Sequence, residues 1–267
     1  MFASISFTGL KSSAAFGYAA AVPFFSGRKK LAFKPGLNIL FGPNGCGKST
    51  VIKMLARTMC AEQGGFSCIT QGAISENVDM FDKRSTHKVG LKIAHDGQPV
   101  VYCDPRSRIG LMGGSLDEDF VQQGLAECIV LPKRSQGQAV LSRVSGALNI
   151  LAGEAPFPAA VEAQVDRKYV NDVWGRALGT VEKAMAASID KGQPTILLDE
   201  PEANFSLVWQ SRLWRRLASS EAAQRCQIIV ASHSAFALGI EHANYIDFEP
   251  GFREEVEGAL TQRFRPA

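Results

Sequence analysis

The sequence predicts an α/β fold: a mixed sheet flanked by helices, with an antiparallel β subdomain and a helical subdomain inserted at about 104–190, all in one domain spanning 1–267. Three observations lead there. Short apolar runs alternate with segments of helical periodicity, the pattern of a sheet covered by helices. A glycine-rich turn joins the apolar run Leu37–Phe41 to the helical segment Ser49–Thr58. A second apolar run, Thr195–Leu198, ends directly in two carboxylates, Asp199 and Glu200.

In chain order, Phe2–Phe7 alternates as a strand does, and Leu31–Phe33 and Leu37–Phe41 follow as two more, the latter a continuous apolar run of the buried kind. Ser49–Thr58 places Val51, Ile52, Met54 and Leu55 at helical spacing. Between about 89 and 103, two strand-like runs flank His95-Asp96-Gly97, which reads as a hairpin. Residues 104–118 are rich in Gly, Ser, Arg and Asp and read as loop. Ala139–Leu151 and Tyr169–Ile189 read as helices, separated by a break at Gly153–Pro158. Thr195–Leu198, Gln227–Ala231 and Tyr245–Phe248 complete the strands, and Trp209, Leu213 and Leu217 mark one face of a helix between the first two. No heptads are sustained, so no coiled-coil arm is expected.

Composition narrows the function classes. A chain of 267 residues can bury a core without staples, and 46% apolar with 21% charged residues is ordinary for a soluble globular protein. A net charge of +3 without a basic run gives no argument for nucleic acid. The six cysteines, at 46, 60, 68, 103, 128 and 226, stand singly and not at metal-ligand spacing, which reads as reduced thiols in a cytoplasm. The apolar stretch Ala14–Phe25 lacks a basic leader and is interrupted by Gly17 and Pro23, so it does not read as a signal peptide. No run approaches the roughly 20 apolar residues that span a bilayer.

Gly42-Pro43-Asn44-Gly45-Cys46-Gly47-Lys48-Ser49-Thr50 fits G-x-x-x-x-G-K-[ST] at every fixed position, with an apolar strand before it and a helix after it. The glycines let the backbone curl so that successive N–H groups face phosphates, and the helix offers its positive end to the same anion. Lys48 is the cation for the β/γ-phosphates, and Ser49 supplies an oxygen to Mg²⁺. Cys46, inside the loop, reads as a small filler. The pattern predicts a P-loop NTPase fold with ATP and Mg²⁺ as its ligands.

Asp199, at the tip of its strand, suits the Mg²⁺ shell, and Glu200 is placed to orient or deprotonate an attacking water. Pro201 ends the strand without needing a ladder donor. Gln227–Ala231 leads into Ser232-His233-Ser234, where His233 can reach a γ-phosphate with an imidazole N–H.

The segments GPNGCGKST, ILLDEPEANFS and IIVASHS, in this order, resemble the ATP-binding-cassette ATPases, and the E-A-N-F-S after Pro201 is more similar to stand-alone members and SMC-type heads than to transporter subunits. The resemblance is strong over about 31–60 and 193–235. It implies ATP hydrolysis in a head-to-tail dimer, each copy closing a signature loop on the other's γ-phosphate. Ser135-Gln136-Gly137-Gln138 matches S-x-G-Q and is favoured for that loop, with Ser135, Gly137 and Gln138 as its contacts; an insertion would then follow it. Ala177-Leu178-Gly179-Thr180 has the family's usual spacing but lacks the serine and glutamine. Asp104 stands where the family has a Mg²⁺-touching glutamine, Ser206 replaces the aspartate that follows the acidic strand, and Tyr18, Phe24 or Phe25 would stack on adenine. For the work driven, the resemblance suggests control of a partner effector encoded nearby, in phage defence or a mobile element. A transporter cassette and a DNA-clamping head are the alternatives.

Overall fold

The computed structural model describes residues 1–9, 17–27, 30–59, 61–62, 66–67, 90–105, 136–157 and 192–261. In chain order these form β1 (Phe2–Gly9), a 3-10 turn (Gly17–Ala21), α1 (Pro23–Gly27), β2 (Lys30–Ala32), β3 (Leu37–Phe41), α2 (Lys48–Thr58), β4 (Ala61–Glu62), β5 (Phe66–Ser67), β6 (Gly90–His95) and β7 (Val100–Cys103). They continue through α3 (Gln136–Ala152), β8 (Thr195–Asp199), α4 (Leu207–Leu217), α5 (Ser220–Arg225), β9 (Gln227–Ser232), a second 3-10 turn (Ala235–Ala237), β10 (Asn244–Asp247) and α6 (Phe252–Thr261).

The continuous apolar runs form the central sheet. β3, β7, β8 and β9 are buried at every residue, as strands covered on both faces must be. With β10 they make a five-stranded sheet in the order β10-β3-β9-β8-β7, and every pairing is parallel. The two-residue alternation of a strand then divides the core. Leu40, Leu197, Ile229 and Ala231 face α2, through Val51, Ile52 and Leu55, and the phenylalanines of β1. Leu37, Ile39, Ile196, Leu198, Ile228 and Val230 face α3 and α4 on the other side.

The expected antiparallel β subdomain forms a sheet of its own, and the central sheet is parallel rather than mixed. β2, β1 and β6 form an antiparallel three-stranded sheet, with Ile5 opposite both Leu31 and Ile93. For this reason the hairpin expected around His95-Asp96-Gly97 does not form. β6 pairs with β1, whereas β7 pairs with β8, so residues 96–99 carry the chain from one sheet to the other. The physical difference lies in the two runs. β7 is apolar throughout and is buried throughout, while β6 keeps Lys92 at the surface. Asp96 fastens the crossing: it accepts the Met1 amine and the N–H groups of Gln98, at 3.0 Å, and Gly192, at 2.7 Å.

Gln227, fully buried at the start of β9, joins the two sheets. Its Oε1 accepts the Phe2 N–H at 2.8 Å and the Thr195 hydroxyl at 3.0 Å, and its Nε2 donates to the carbonyls of Phe2, at 2.8 Å, and Lys34, at 2.9 Å. Gln227→Leu keeps the bulk and strands these groups. Each buried group left unpaired costs about 1–3 kcal/mol, so chemical denaturation is expected to show a loss of about 3 kcal/mol or more.

α3 buries Val144, Ala147 and Leu151 at helical spacing and stops where the sequence breaks. Gly153 takes the left-handed conformation, its N–H bonding to the Ile150 carbonyl and that of Glu154 to the Asn149 carbonyl. On α4 the buried face is Leu213, Trp214 and Leu217, and Trp209 is exposed instead. The helical period admits either indole, since 209 precedes 213 by one turn and 214 precedes 217 by one turn; the core takes Trp214. Tyr169–Ile189, Ser135 and Ala177–Thr180 lie outside the described residues, and α3 is the only described part of the expected helical subdomain.

Candidate functional site

Parallel strands bring their C-terminal ends to one edge, and ligands of such sheets bind in the crevice outside that edge. The register does this for all three motifs. Phe41 pairs with Ser232, Ala231 with Asp199, and Leu198 with Cys103, so the glycine loop, His233, Glu200 and Asp104 all leave the sheet at the same level.

The loop between β3 and α2 is held by its glycines. Gly47 has φ of 106°, and a Cβ there would lie 2.8 Å from the Phe25 ring, so α1 packs directly beneath the turn. A Cβ on Gly42 would lie 2.9 Å from both Cys46 Sγ and Phe248 Cβ. α2 begins at Lys48, with its first amides unspent in the helix and turned toward the loop. Lys48 is almost fully buried, and its Nζ donates to the carbonyls of Gly42, at 2.8 Å, and Pro43, at 2.7 Å. Cys46 is half-buried, and burial pushes its thiol up despite nearby Lys48, which suits a filler.

Ser49 Oγ donates to Asp199 Oδ1 at 2.6 Å, across 150 positions of sequence. Asp199 is fully buried at the tip of β8. A hydroxyl and a carboxylate oxygen so placed fit Mg²⁺, which prefers a few hard oxygen ligands and keeps waters and phosphates for the rest of its shell. Asp104 is buried at the neighbouring strand end.

Glu200 is the next residue and sits at φ of 48°, uncommon for a residue with a Cβ. Such strain persists where the surroundings enforce it, and here the Glu200 N–H is fixed to the Ala231 carbonyl at 2.9 Å. Its Oε1 lies 3.6 Å from His233 Nδ1. The Glu200 carboxylate holds the His233 pKa above the usual histidine value, against a smaller opposing effect of partial burial. A raised folded-state pKa means that the pair contributes below the ordinary histidine range and that its contribution is lost as pH rises through the raised value. That contribution is small, because the His233 side chain is 45% exposed.

The sequence reading missed a second layer. Glu202 is buried and accepts the Ser232 hydroxyl, Ser232 Oγ accepts the Ser234 N–H at 2.9 Å, and Ser234 Oγ donates to Gln210 Oε1 at 3.1 Å. The available signal was an acidic residue directly after Pro201 and two serines flanking His233. Glu200, Glu202, Asn204, Leu207, His233 and Phe236 line a cleft of about 340 Å³.

Of the three aromatics considered for adenine, two are committed elsewhere. Phe24 stacks on Phe248 with centroids 3.7 Å apart, and Phe25 packs against the Phe7 ring and beneath Gly47. Tyr18 is 61% exposed, with its hydroxyl 3.4 Å from Thr50 Oγ1. Gln136, Gly137 and Gln138 form the first turn of α3.

A family model described as an AAA domain matches residues 22–67. The match covers α1, the glycine loop and α2, and it supports a P-loop ATPase that binds and hydrolyses nucleotide. The parallel sheet with helices on both faces is consistent with that fold. No curated protein matches the chain. Among the described residues, no helix is long and apolar enough to cross a membrane.

Proposed function

We propose that the chain is an ATP-binding-cassette-type ATPase that hydrolyses ATP to ADP and phosphate and closes head-to-tail on a second copy when ATP is bound. The observation that carries the reading is the Ser49–Asp199 contact at 2.6 Å, which joins a glycine loop suited to phosphates to a carboxylate suited to Mg²⁺. Bound there, Mg²⁺ would supply positive charge to offset the charge that develops on the phosphates. Ser49 and Asp199 would hold it, with Asp104 in the place of the family's Mg²⁺-touching glutamine.

The amides of Gly42–Thr50 would take the phosphates, and Lys48 would exchange its loop carbonyls for β/γ oxygens. Tyr18 would cover adenine. Glu200 would align a water with the γ-phosphate and accept its proton, while His233, paired to Glu200, would sense the γ-phosphate. The proposed contacts from the second copy are Ser135, Gly137 and Gln138, at or just before the N-terminal turn of α3, with Ala177–Thr180 as the alternative. Hydrolysis would then release the two heads, a two-state element biased by its ligand.

A cytoplasmic ATPase that gates an effector encoded nearby, in phage defence or a mobile element, is the role that the motif resemblance supports. A transporter cassette and a DNA-clamping head remain the alternatives, which co-purification with neighbouring gene products separates. The dimer is tested by sedimentation of Glu200→Gln: the scheme requires a dimer with Mg·ATP and a monomer without it. A monomer at saturating Mg·ATP would overturn it.

A further inference from the structure

Glu202 has no task in the scheme above, yet the fold takes trouble to bury it. Two residues in the left-handed region, Glu200 and Asn204, bracket it at φ of 48° and 65°. The Ala203 N–H bonds to the Glu200 carbonyl at 3.0 Å, and the Phe205 N–H to the Glu202 carbonyl at 3.1 Å, closing a tight turn. This turn directs the Glu202 side chain inward, and the residue is only 4% exposed.

Inside, Glu202 Oε1 accepts the Ser232 hydroxyl, and the chain of bonds continues through Ser234 to Gln210 on α4. Ser234 Oγ also accepts the Phe236 N–H at 3.3 Å. The residues on both sides of His233 are thus tied into one network, and Glu202 anchors that network to the turn that carries Glu200. Among the described residues, the His233 side chain itself is met by Glu200, at 3.6 Å.

The second carboxyl oxygen decides the protonation state. Among the described residues, the buried Glu202 Oε2 has no hydrogen-bond partner. A charged oxygen there would lie out of water and unpaired, which is far more costly than a neutral group in the same place. Burial raises the Glu202 pKa, and it outweighs the Ser232 bond, a bond from the Glu202 backbone N–H and the attraction of His233, while the nearby Glu200 charge adds to the rise.

We propose that Glu202 is a positioning residue that acts as a neutral carboxyl, clamping Ser232 and Ser234 so that His233 is held against Glu200. This rests on the ATPase reading for its kinetic consequence but not for its geometry. A water-aligning pair displaced by about 1 Å can lose about 10²-fold in rate, so the clamp matters to turnover more than to nucleotide affinity.

The test compares Glu202→Ala with the neutral isostere Glu202→Gln, by phosphate release and by the NMR titration of His233 without nucleotide. Glu202→Ala is expected to lower kcat by about 10- to 100-fold with KM for ATP unchanged, and to let the His233 pKa fall back toward its ordinary value. Glu202→Gln is expected to rescue most of both losses. Equal loss in the two variants would show that the negative charge is needed, and would overturn the proposal. So would a Glu202→Ala protein that melts lower but keeps its kcat and its His233 titration, since Glu202 would then be structural only. Wild-type protein that releases no phosphate would remove the ATPase reading, and the titration arm would still decide the clamp.

Discussion

Glu200→Gln is expected to bind Mg·ATP as tightly as the wild type and to release phosphate about 10²–10⁴-fold more slowly, the range typical of losing a general base. The substitution keeps the shape of a side chain whose backbone is already pinned, through its N–H, to the Ala231 carbonyl. It leaves the glycine loop, Lys48 and the Ser49–Asp199 contact untouched, so nucleotide affinity has no reason to change. What it removes is the acceptor for a water proton and the negative charge beside His233. The second loss gives an independent readout. Because the Glu200 carboxylate is the main cause of the raised His233 pKa, the imidazole of Glu200→Gln is expected to titrate at lower pH than in the wild type. A turnover that survives the substitution would move the base away from Glu200.

Lys48→Ala is expected to weaken ATP binding by about 10- to 100-fold, since a hydrogen bond to a charged group is worth about 1.5–3 kcal/mol and each 1.4 kcal/mol is tenfold. The ammonium sits within 2.8 Å of two carbonyls of the loop. Alanine is at least as good a helix former at the start of α2, and the helix is held by Val51, Ile52 and Leu55 rather than by Lys48. The fold is therefore expected to survive, which separates this outcome from simple unfolding. Equilibrium titration with Mg·ATP, beside a thermal melt of each protein, makes the comparison.

Much of the site was legible because its rules are local. The apolar run Leu37–Phe41, the glycines of the loop and the carboxylates after Leu198 each state their conformation within ten residues. The assembly was less so. Val100–Cys103 and Gly90–His95 look like the arms of a hairpin, and only the competition for partners, β1 for one and β8 for the other, sends them to different sheets. Gln227 reads as a polar residue at the edge of an apolar strand; its role as the joint depends on Phe2 and Lys34, far away in sequence. Glu202 carries no local signal of burial, because its inward turn is set by left-handed residues that are not glycine. Phe24 and Phe25 are as apolar in sequence as any stacking ring, and packing spends both on the core.

The central claim is that the amides of the loop between β3 and α2 hold a triphosphate opposite the acidic tip of β8. Hydrogen exchange with and without Mg·ATP tests it most directly. Amides in Asn44–Thr50 and in Asp199–Glu202 are expected to slow on adding the nucleotide and to regain their free rates in Lys48→Ala. Unchanged exchange in both segments at saturating Mg·ATP would contradict the account.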